Sequence, residues 1–288
     1  MKSEMNIDEI RRLSADIRIN TIKGIAGVGF GHIGGSMSIA DVLAVLYGAV
    51  LNVRPDEPKW DDRDYLVLSK GHCGPALYAA LALKGYYPMN WLETINAPET
   101  RLPSHADGCK TPGIDISTGS LGQGMSSAAG IALGNQMLGK DNYTYCIVGD
   151  GECQEGQIWE GVMFSVHHRL DHLIVFVDNN RRQLDGYLEE IQNPLDLEKK
   201  FEAFGCHAST VCGYDLEAIY RAVLRAKKAK EQMSVIILET EKGMGCSFAE
   251  KESFNHYMSF DREMAENACD EIERRLKNGT YPRGEKYD

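Results

Sequence analysis

Apolar residues along this chain recur with two different periods, and the alternation between them lays out its architecture. From Asp8 to Ala26 the positions Ile10, Leu13, Ile17, Ile22 and Ile25 fall at helical spacing, which predicts an amphipathic helix with Asp8 as its cap. A glycine-rich loop holding His32 follows, then a second helix over Ser38–Leu51, capped by its serine. Tyr65–Leu68 (YLVL), Tyr143–Val148 (YTYCIV), Leu173–Val177 (LIVFV) and Val235–Glu239 (VIILE) are short runs rich in β-branched and aromatic residues, as buried strands are, and Val211 lies in another strand. Helices are predicted over Pro75–Leu83, Gly122–Leu138 and Leu216–Ala229, with a charged helix over Asp261–Lys277. Strands alternating with helices predict an α/β layer structure around a mainly parallel sheet. No Pro- or Ser-rich linker and no internal repeat interrupts the pattern. Residues 1–288 are therefore expected to form a single domain, with a helical extension over about 261–288.

The turns after two of these strands carry candidate chemistry. Tyr143–Val148 runs directly into Gly149-Asp150-Gly151-Glu152-Cys153-Gln154-Glu155-Gly156. A strand thereby delivers Asp150 to a tight turn, and the flanking glycines let backbone amides approach a ligand closely. A helix opening near Glu155 turns its partial positive end toward any phosphate bound there. A carboxylate beside phosphates calls for a cation. Leu173–Val177 delivers Asp178-Asn179-Asn180, whose last amide oxygen suits a hard cation, with the Arg182 carbonyl two residues on. Asp150, Asn180 and the Arg182 carbonyl would leave room for water and diphosphate oxygens, the mixed shell that Mg²⁺ prefers, with Ca²⁺ as the alternative. Two ordinary strand-to-helix turns are the plainer reading of the same segments. A dinucleotide site fits less well, because no G-x-G-x-x-G follows either strand and Gly119–Gly124 (GSLGQG) has the wrong glycine spacing. His72 also lies just beyond a strand, and open parallel sheets bind ligands outside the carboxyl ends of their strands, where Asp150, Asn180 and His72 all fall.

Composition removes several classes. With 288 residues, 43% of them hydrophobic, the chain can bury a large core. A net charge of -11 repels nucleic acid, and no basic cluster exceeds the Lys199-Lys200 and Lys227-Lys228 pairs, so no nucleic-acid partner is expected. The eight cysteines form no C-x-x-C pair and read as reduced thiols. No apolar run approaches membrane-spanning length and the N-terminus lacks a signal-peptide core, which predicts a cytosolic, cytoplasmic protein without membrane contact.

The GDG turn followed about thirty residues later by an Asn-Asn pair resembles the thiamine diphosphate motif. Gly31-His32-Ile33-Gly34-Gly35-Ser36, Ser69-Lys70-Gly71-His72, Pro103-Ser104-His105 and Thr118–Gly124 (TGSLGQG) resemble transketolase segments and stand in the transketolase order; Gln154-Glu155-Gly156 and Glu160 extend the likeness. It runs from about residue 7 to about residue 258 and is nearest to the N-terminal subunit of a split, two-chain transketolase. The resemblance implies a three-layer α/β/α thiamine diphosphate-binding fold, with thiamine diphosphate and Mg²⁺ or Ca²⁺ as cofactors. It implies transfer of a two-carbon ketol unit from a ketose phosphate to an aldose phosphate, with a pentose phosphate as the default donor. The pyrimidine-binding and C-terminal domains would belong to a partner chain, giving a heterotetramer, and this chain alone would be inactive.

The same resemblance implies individual roles. His72, the Gly151 amide and His256 would contact the diphosphate, with Gly119, Leu121 and Asn180 also at the cofactor, and Asp150, Asn180 and Arg182 at the metal. His32 and His105 would hydrogen-bond the sugar and move protons, as groups titrating near neutrality can, with His72 beside them. Glu155 and Glu160 would sit at the subunit interface and link active sites through a proton path. Two departures stand out: Tyr257 follows His256 where the family tends to have glycine, and His105 lies in Ser104-His105-Ala106-Asp107 rather than Gly-His-Pro. The rival readings are the α subunit of another thiamine enzyme, of the 2-oxo acid dehydrogenase type, and a non-catalytic assembly subunit.

Overall fold

The computed structural model describes residues 5–184 and 186–283; the last five positions of the expected extension, 284–288, lie outside the described residues. Its central sheet is built from β1 (Tyr65–Leu68), β2 (Thr144–Gly149), β3 (Leu173–Asn179), β4 (His207–Cys212) and β5 (Ser234–Glu239). They stand in the order β1-β2-β3-β5-β4, every neighbouring pair parallel. Parallel strands covered on both faces need apolar residues at every position, which is why β2, β3 and β5 read as continuous apolar runs rather than as alternating ones.

Successive strand residues point to opposite faces. Tyr145, Ile147, Ile174, Phe176, Ile236 and Leu238 join one core, packed by α2 (Gly74–Leu83), α6 (Leu216–Ala226) and residues of the 39–51 stretch. Cys146, Val148, Val175, Val177, Val235 and Ile237 join another, packed by α3 (Gln123–Met137), α4 (Gly156–His167) and α5 (Leu197–Ala203). The result is the expected three-layer α/β/α arrangement. A third core lies between α1 (Ile7–Val28) and α7 (Arg262–Asn278), where Ile19, Ile22 and Ile25 meet Ala265, Ala268 and Ile272.

Two predicted caps are corrected. The α1 cap is Asn6, whose Oδ1 accepts from the Asp8 and Glu9 amides at 3.2 and 3.5 Å, while Asp8 sits in the first turn, where its charge favours the positive helix end. Ser38 caps nothing: the chain is already helical from Gly34 to Ser38, continues over Ala40–Val45 and ends in a π-turn over Leu46–Val50. The Ser38 hydroxyl donates instead to the Asp178 carboxylate at 2.6 Å. Two ladders too short to leave a periodic signature complete the frame, Phe30–Gly31 against Met258–Ser259 and Arg182–Gln183 against Gly186–Tyr187.

Candidate active site

All five sheet strands run the same way, so the segments after β1, β2, β3 and β5 emerge at one edge. Beyond β2, Asp150 is buried and its carboxylate accepts the Gly151 amide at 2.8 Å and the Arg181 amide. Beyond β3, the Asn180 side chain donates to Asp178 at 2.8 Å, while its oxygen accepts the Arg182 amide at 3.1 Å. Asp178 is the hub: its carboxylate accepts from Ser38, Lys70, Asn180 and Thr240. Burial works to raise Asp178, but the Lys70 charge and these hydrogen bonds prevail and hold it below its ordinary value. For Asp150 burial dominates, reinforced by the Asp178 charge, and pushes it up to about 7.

A third buried carboxylate joins three segments. Glu152 accepts from the Ser69 hydroxyl after β1, the Gly149 amide at the end of β2 at 3.0 Å and the Gly122 amide at 2.8 Å. It thereby fixes the 119–122 loop against both strand ends. Within that loop Gly119 has φ +153, and a Cβ there would lie 3.2 Å from the His105 ring, so a side chain would strain the backbone and crowd that imidazole.

Four histidines from four loops converge. The His32 ring centroid lies 5.7 Å from His72, 5.2 Å from His105 and 5.1 Å from His256, and His72 is 4.7 Å from His256. Ser104 Oγ pairs with His32 Nδ1 at 3.2 Å, and Tyr78 donates to the Pro103 and His105 carbonyls at 2.7 and 3.0 Å, which ties the His105 loop to α2. Burial, with the neighbouring His105 and Lys242, lowers His32 to about 4. Burial and Lys242 lower His256 to about 3. Burial and then Lys70 hold His72 well below its ordinary value, and burial lowers His105. Neutral imidazoles at neutral pH follow for all four.

A cavity of about 330 Å³ opens beside these groups. Asp150, Gly151, Asn180 and Arg182 line it together with His72, His105 and His256. Gly119, Leu121 and Glu155 also line it. His32 is not among the lining residues but packs against the three imidazoles that are, and Glu160 is an exposed residue of α4 away from the lining. The Gly151 amide, expected at a diphosphate, donates to Asp150.

Four polar residues here received no role from the sequence: Lys70, Glu152, Asp178 and Lys242. Lys70 and Asp178 are a buried ion pair, and Asp178 raises the Lys70 pKa against the opposing effect of burial. Lys242, beyond β5, meets the Gln183 carbonyl and His256 Nδ1 at 3.3 Å each, and burial, then Lys70, lowers it to about 8. Its signal was positional, a lysine three residues past the VIILE strand.

The donor set fits a hard cation with a diphosphate. Asp150 and Asn180 offer carboxylate and amide oxygens that each retain a lone pair, and Lys242 adds a buried positive charge in the same cavity. Among the described residues no group of three or more His, Cys, Asp or Glu has metal-holding geometry, so a cation here would draw further oxygens from its ligand and from water.

Residues 5–268 match the family described as transketolase, thiamine diphosphate binding domain. The chain is 51% identical over 273 residues to the 6-deoxy-6-sulfo-D-fructose transketolase subunit SqwG of Clostridium sp. (strain MSTE9), covering 94% of this chain and 98% of that one. It is 33% identical to an apulose-4-phosphate transketolase subunit of Phocaeicola vulgatus, covering 95% and 97%. The crystal structure of transketolase from Campylobacter jejuni superposes with a TM-score of 0.87 at 29% identity, over 93% of this chain and 43% of that longer one. The chain therefore belongs to the transketolase family, and it is the thiamine diphosphate binding domain of that family that it carries.

Proposed function

We propose that this chain is the diphosphate-binding subunit of a two-chain transketolase, moving a two-carbon ketol unit from a ketose to an aldose phosphate. The observation that carries the proposal is a cavity lined by His72, His105, His256, Asp150 and Asn180, with His32 packed against all three of those imidazoles. Asp150, Asn180 and the Arg182 carbonyl would hold Mg²⁺ or Ca²⁺, and His72, Gly119, Leu121, Gly151, His256 and Lys242 would face the cofactor. Thiamine diphosphate, when bound, supplies the carbanion-stabilising chemistry. The work of the chain is then to anchor, orient and move protons. His32 and His105, neutral at physiological pH, would accept hydrogen bonds and protons from the sugar hydroxyls.

The chain would form a single domain and act in the cytoplasm with a partner carrying the pyrimidine-binding and C-terminal domains, in a heterotetramer whose interface includes Glu155 and Glu160. Relatives named as subunits match over 98% and 97% of their own length, whereas this chain spans 43% of the Campylobacter jejuni transketolase, which supports a separate second chain. Among the described residues no helix is long and apolar enough to cross a membrane. A second reading of the donor, 6-deoxy-6-sulfo-D-fructose in place of a ketose phosphate, is favoured by the 51% identity to the sulfofructose transketolase subunit.

Affinity purification of the chain from its native cells with thiamine diphosphate and Mg²⁺ tests the proposal. A stoichiometric partner with ketol-transfer activity is the expected result, and substantial turnover by the isolated chain would contradict it. In the assembled complex Asp150→Ala is expected to abolish Mg²⁺-dependent cofactor binding, and unchanged affinity would refute the metal assignment.

A further inference from the structure

The ring cluster has a buried base and an open lip. His32 is 9% exposed, whereas Tyr257, its nearest aromatic neighbour, is 44% exposed. The two rings stand edge to face, centroids 4.8 Å apart at 82°, with Phe30 at 6.0 Å from Tyr257. Backbone pairing fixes this placement: Phe30 lies opposite Ser259 and Gly31 opposite Met258, so the residues flanking His32 and Tyr257 share one ladder. His105, also exposed, meets His32 at 5.2 Å. His105 and Tyr257 are thus the two outermost rings around His32. His105 lines the cavity and Tyr257 stands just outside its lining, where the distal carbons of a ketose held among the inner imidazoles would emerge.

We infer that Tyr257 is a specificity-determining residue, selecting six-carbon ketose donors with a terminal oxyanion, phosphate or sulfonate, over five-carbon ones; the inference rests on the transketolase reading above. The ring would present an apolar face to the C–H surface of an extended sugar, and its phenol a hydrogen-bond donor to a distal oxygen. A five-carbon ketose ends one carbon sooner and lays less of its chain on that ring. Substrate contacts remote from the reacting carbons discriminate through the ratio of kcat/KM values, and a contact of this kind is worth about tenfold or somewhat more.

The test uses the complete enzyme, this chain with its partner, carrying no change, Tyr257→Phe or Tyr257→Gly. The donors are fructose 6-phosphate, 6-deoxy-6-sulfofructose and xylulose 5-phosphate, each at several concentrations, and thiamine diphosphate affinity is measured alongside. Tyr257→Gly is expected to lower the six- to five-carbon ratio of kcat/KM by about tenfold, chiefly through KM, with Tyr257→Phe between it and the unmodified enzyme and cofactor affinity unchanged in both. A change for only one of the two six-carbon donors identifies which oxyanion the phenol meets. Should Tyr257→Gly fail to assemble, Tyr257→Phe, which keeps the ring, carries the comparison. An unchanged ratio with intact transfer overturns the inference and leaves the transketolase reading standing. No transfer from any donor by the unmodified complex overturns that reading and the inference with it.

Discussion

Lys70 donates to Asp178 beneath the cavity as an ion pair sealed from solvent, the two side chains 2% and 0% exposed. The pair comes from different strand ends, after β1 and within β3, and Asp178 also holds the Asn180 amide. One interaction thereby links the sheet edge to the candidate metal ligand.

Removing one member of such a pair leaves the other charge buried without compensation, at a cost of about 3–5 kcal/mol. Asp178→Ala is expected to lower the unfolding free energy by that order, read from denaturant midpoints at constant m. The double substitution Lys70→Met with Asp178→Leu, which removes both charges, should recover much of the loss. A single-substitution effect below about 1 kcal/mol would show that the pair is not energetically coupled to the fold.

Acid should weaken the fold through its histidines. An unfolded imidazole titrates near 6.5, whereas His32 is lowered to about 4 and His256 to about 3. Between those values the unfolded chain binds more protons than the folded one, so stability is fully present above about pH 6.5 and is lost as pH falls toward the folded values. His32→Gln should flatten the slope of unfolding free energy against pH by about one proton, roughly 1.4 kcal/mol per pH unit, between pH 4.5 and 6. An unaltered slope would mean that His32 is not held neutral by its surroundings.

Glu152 organises a loop rather than a ligand. Glu152→Gln replaces one acceptor oxygen by an amide that faces backbone N–H donors, leaving at least one of the Gly122 and Gly149 amides unpaired at about 1–3 kcal/mol. Thermal or chemical denaturation should show that loss together with weaker thiamine diphosphate binding, because the Gly119–Gly122 loop loses its tie. Full cofactor affinity in a destabilised variant would separate the loop from the site.

Glu160 behaves differently. It is exposed on α4, and a surface carboxylate contributes within about ±0.5 kcal/mol. Glu160→Gln should therefore leave the stability of the isolated chain unchanged and lower activity only in the complete complex. Full activity there would remove Glu160 from the proposed interface.

The sheet was the most legible part of the sequence. Tyr65–Leu68 is a strand at the predicted bounds, and β2, β3 and β5 differ from their predicted runs by one or two residues, because doubly covered parallel strands must be apolar throughout. The end of α6 at Ala226 rather than Ala229 reflects the weak terminal signal of a lysine-rich turn. Asn6 and Ser38 were harder, since a cap depends on which side chain reaches a free amide and several nearby polar residues qualify by type. Within the candidate site, Asp150, Asn180 and His72 could be placed at strand ends from local pattern. Lys70, Asp178 and Glu152 could not, because charged residues are ordinarily solvated, and only the three-dimensional meeting of three strand ends makes their burial tolerable.

The ladder between Phe30–Gly31 and Met258–Ser259 has a consequence for synthesis. It joins segments more than two hundred residues apart, and with the Gly34 amide donating to the Asn255 carbonyl at 2.9 Å it brings His32 to His256. A nascent chain that has passed β3 already contains Asp150 and Asn180, yet the imidazole cluster waits for His256, some seventy-five residues later. Maturation of this site is therefore a late event in folding, closed by long-range pairing, and a prematurely terminated product would retain the acidic strand ends while lacking the complete histidine wall.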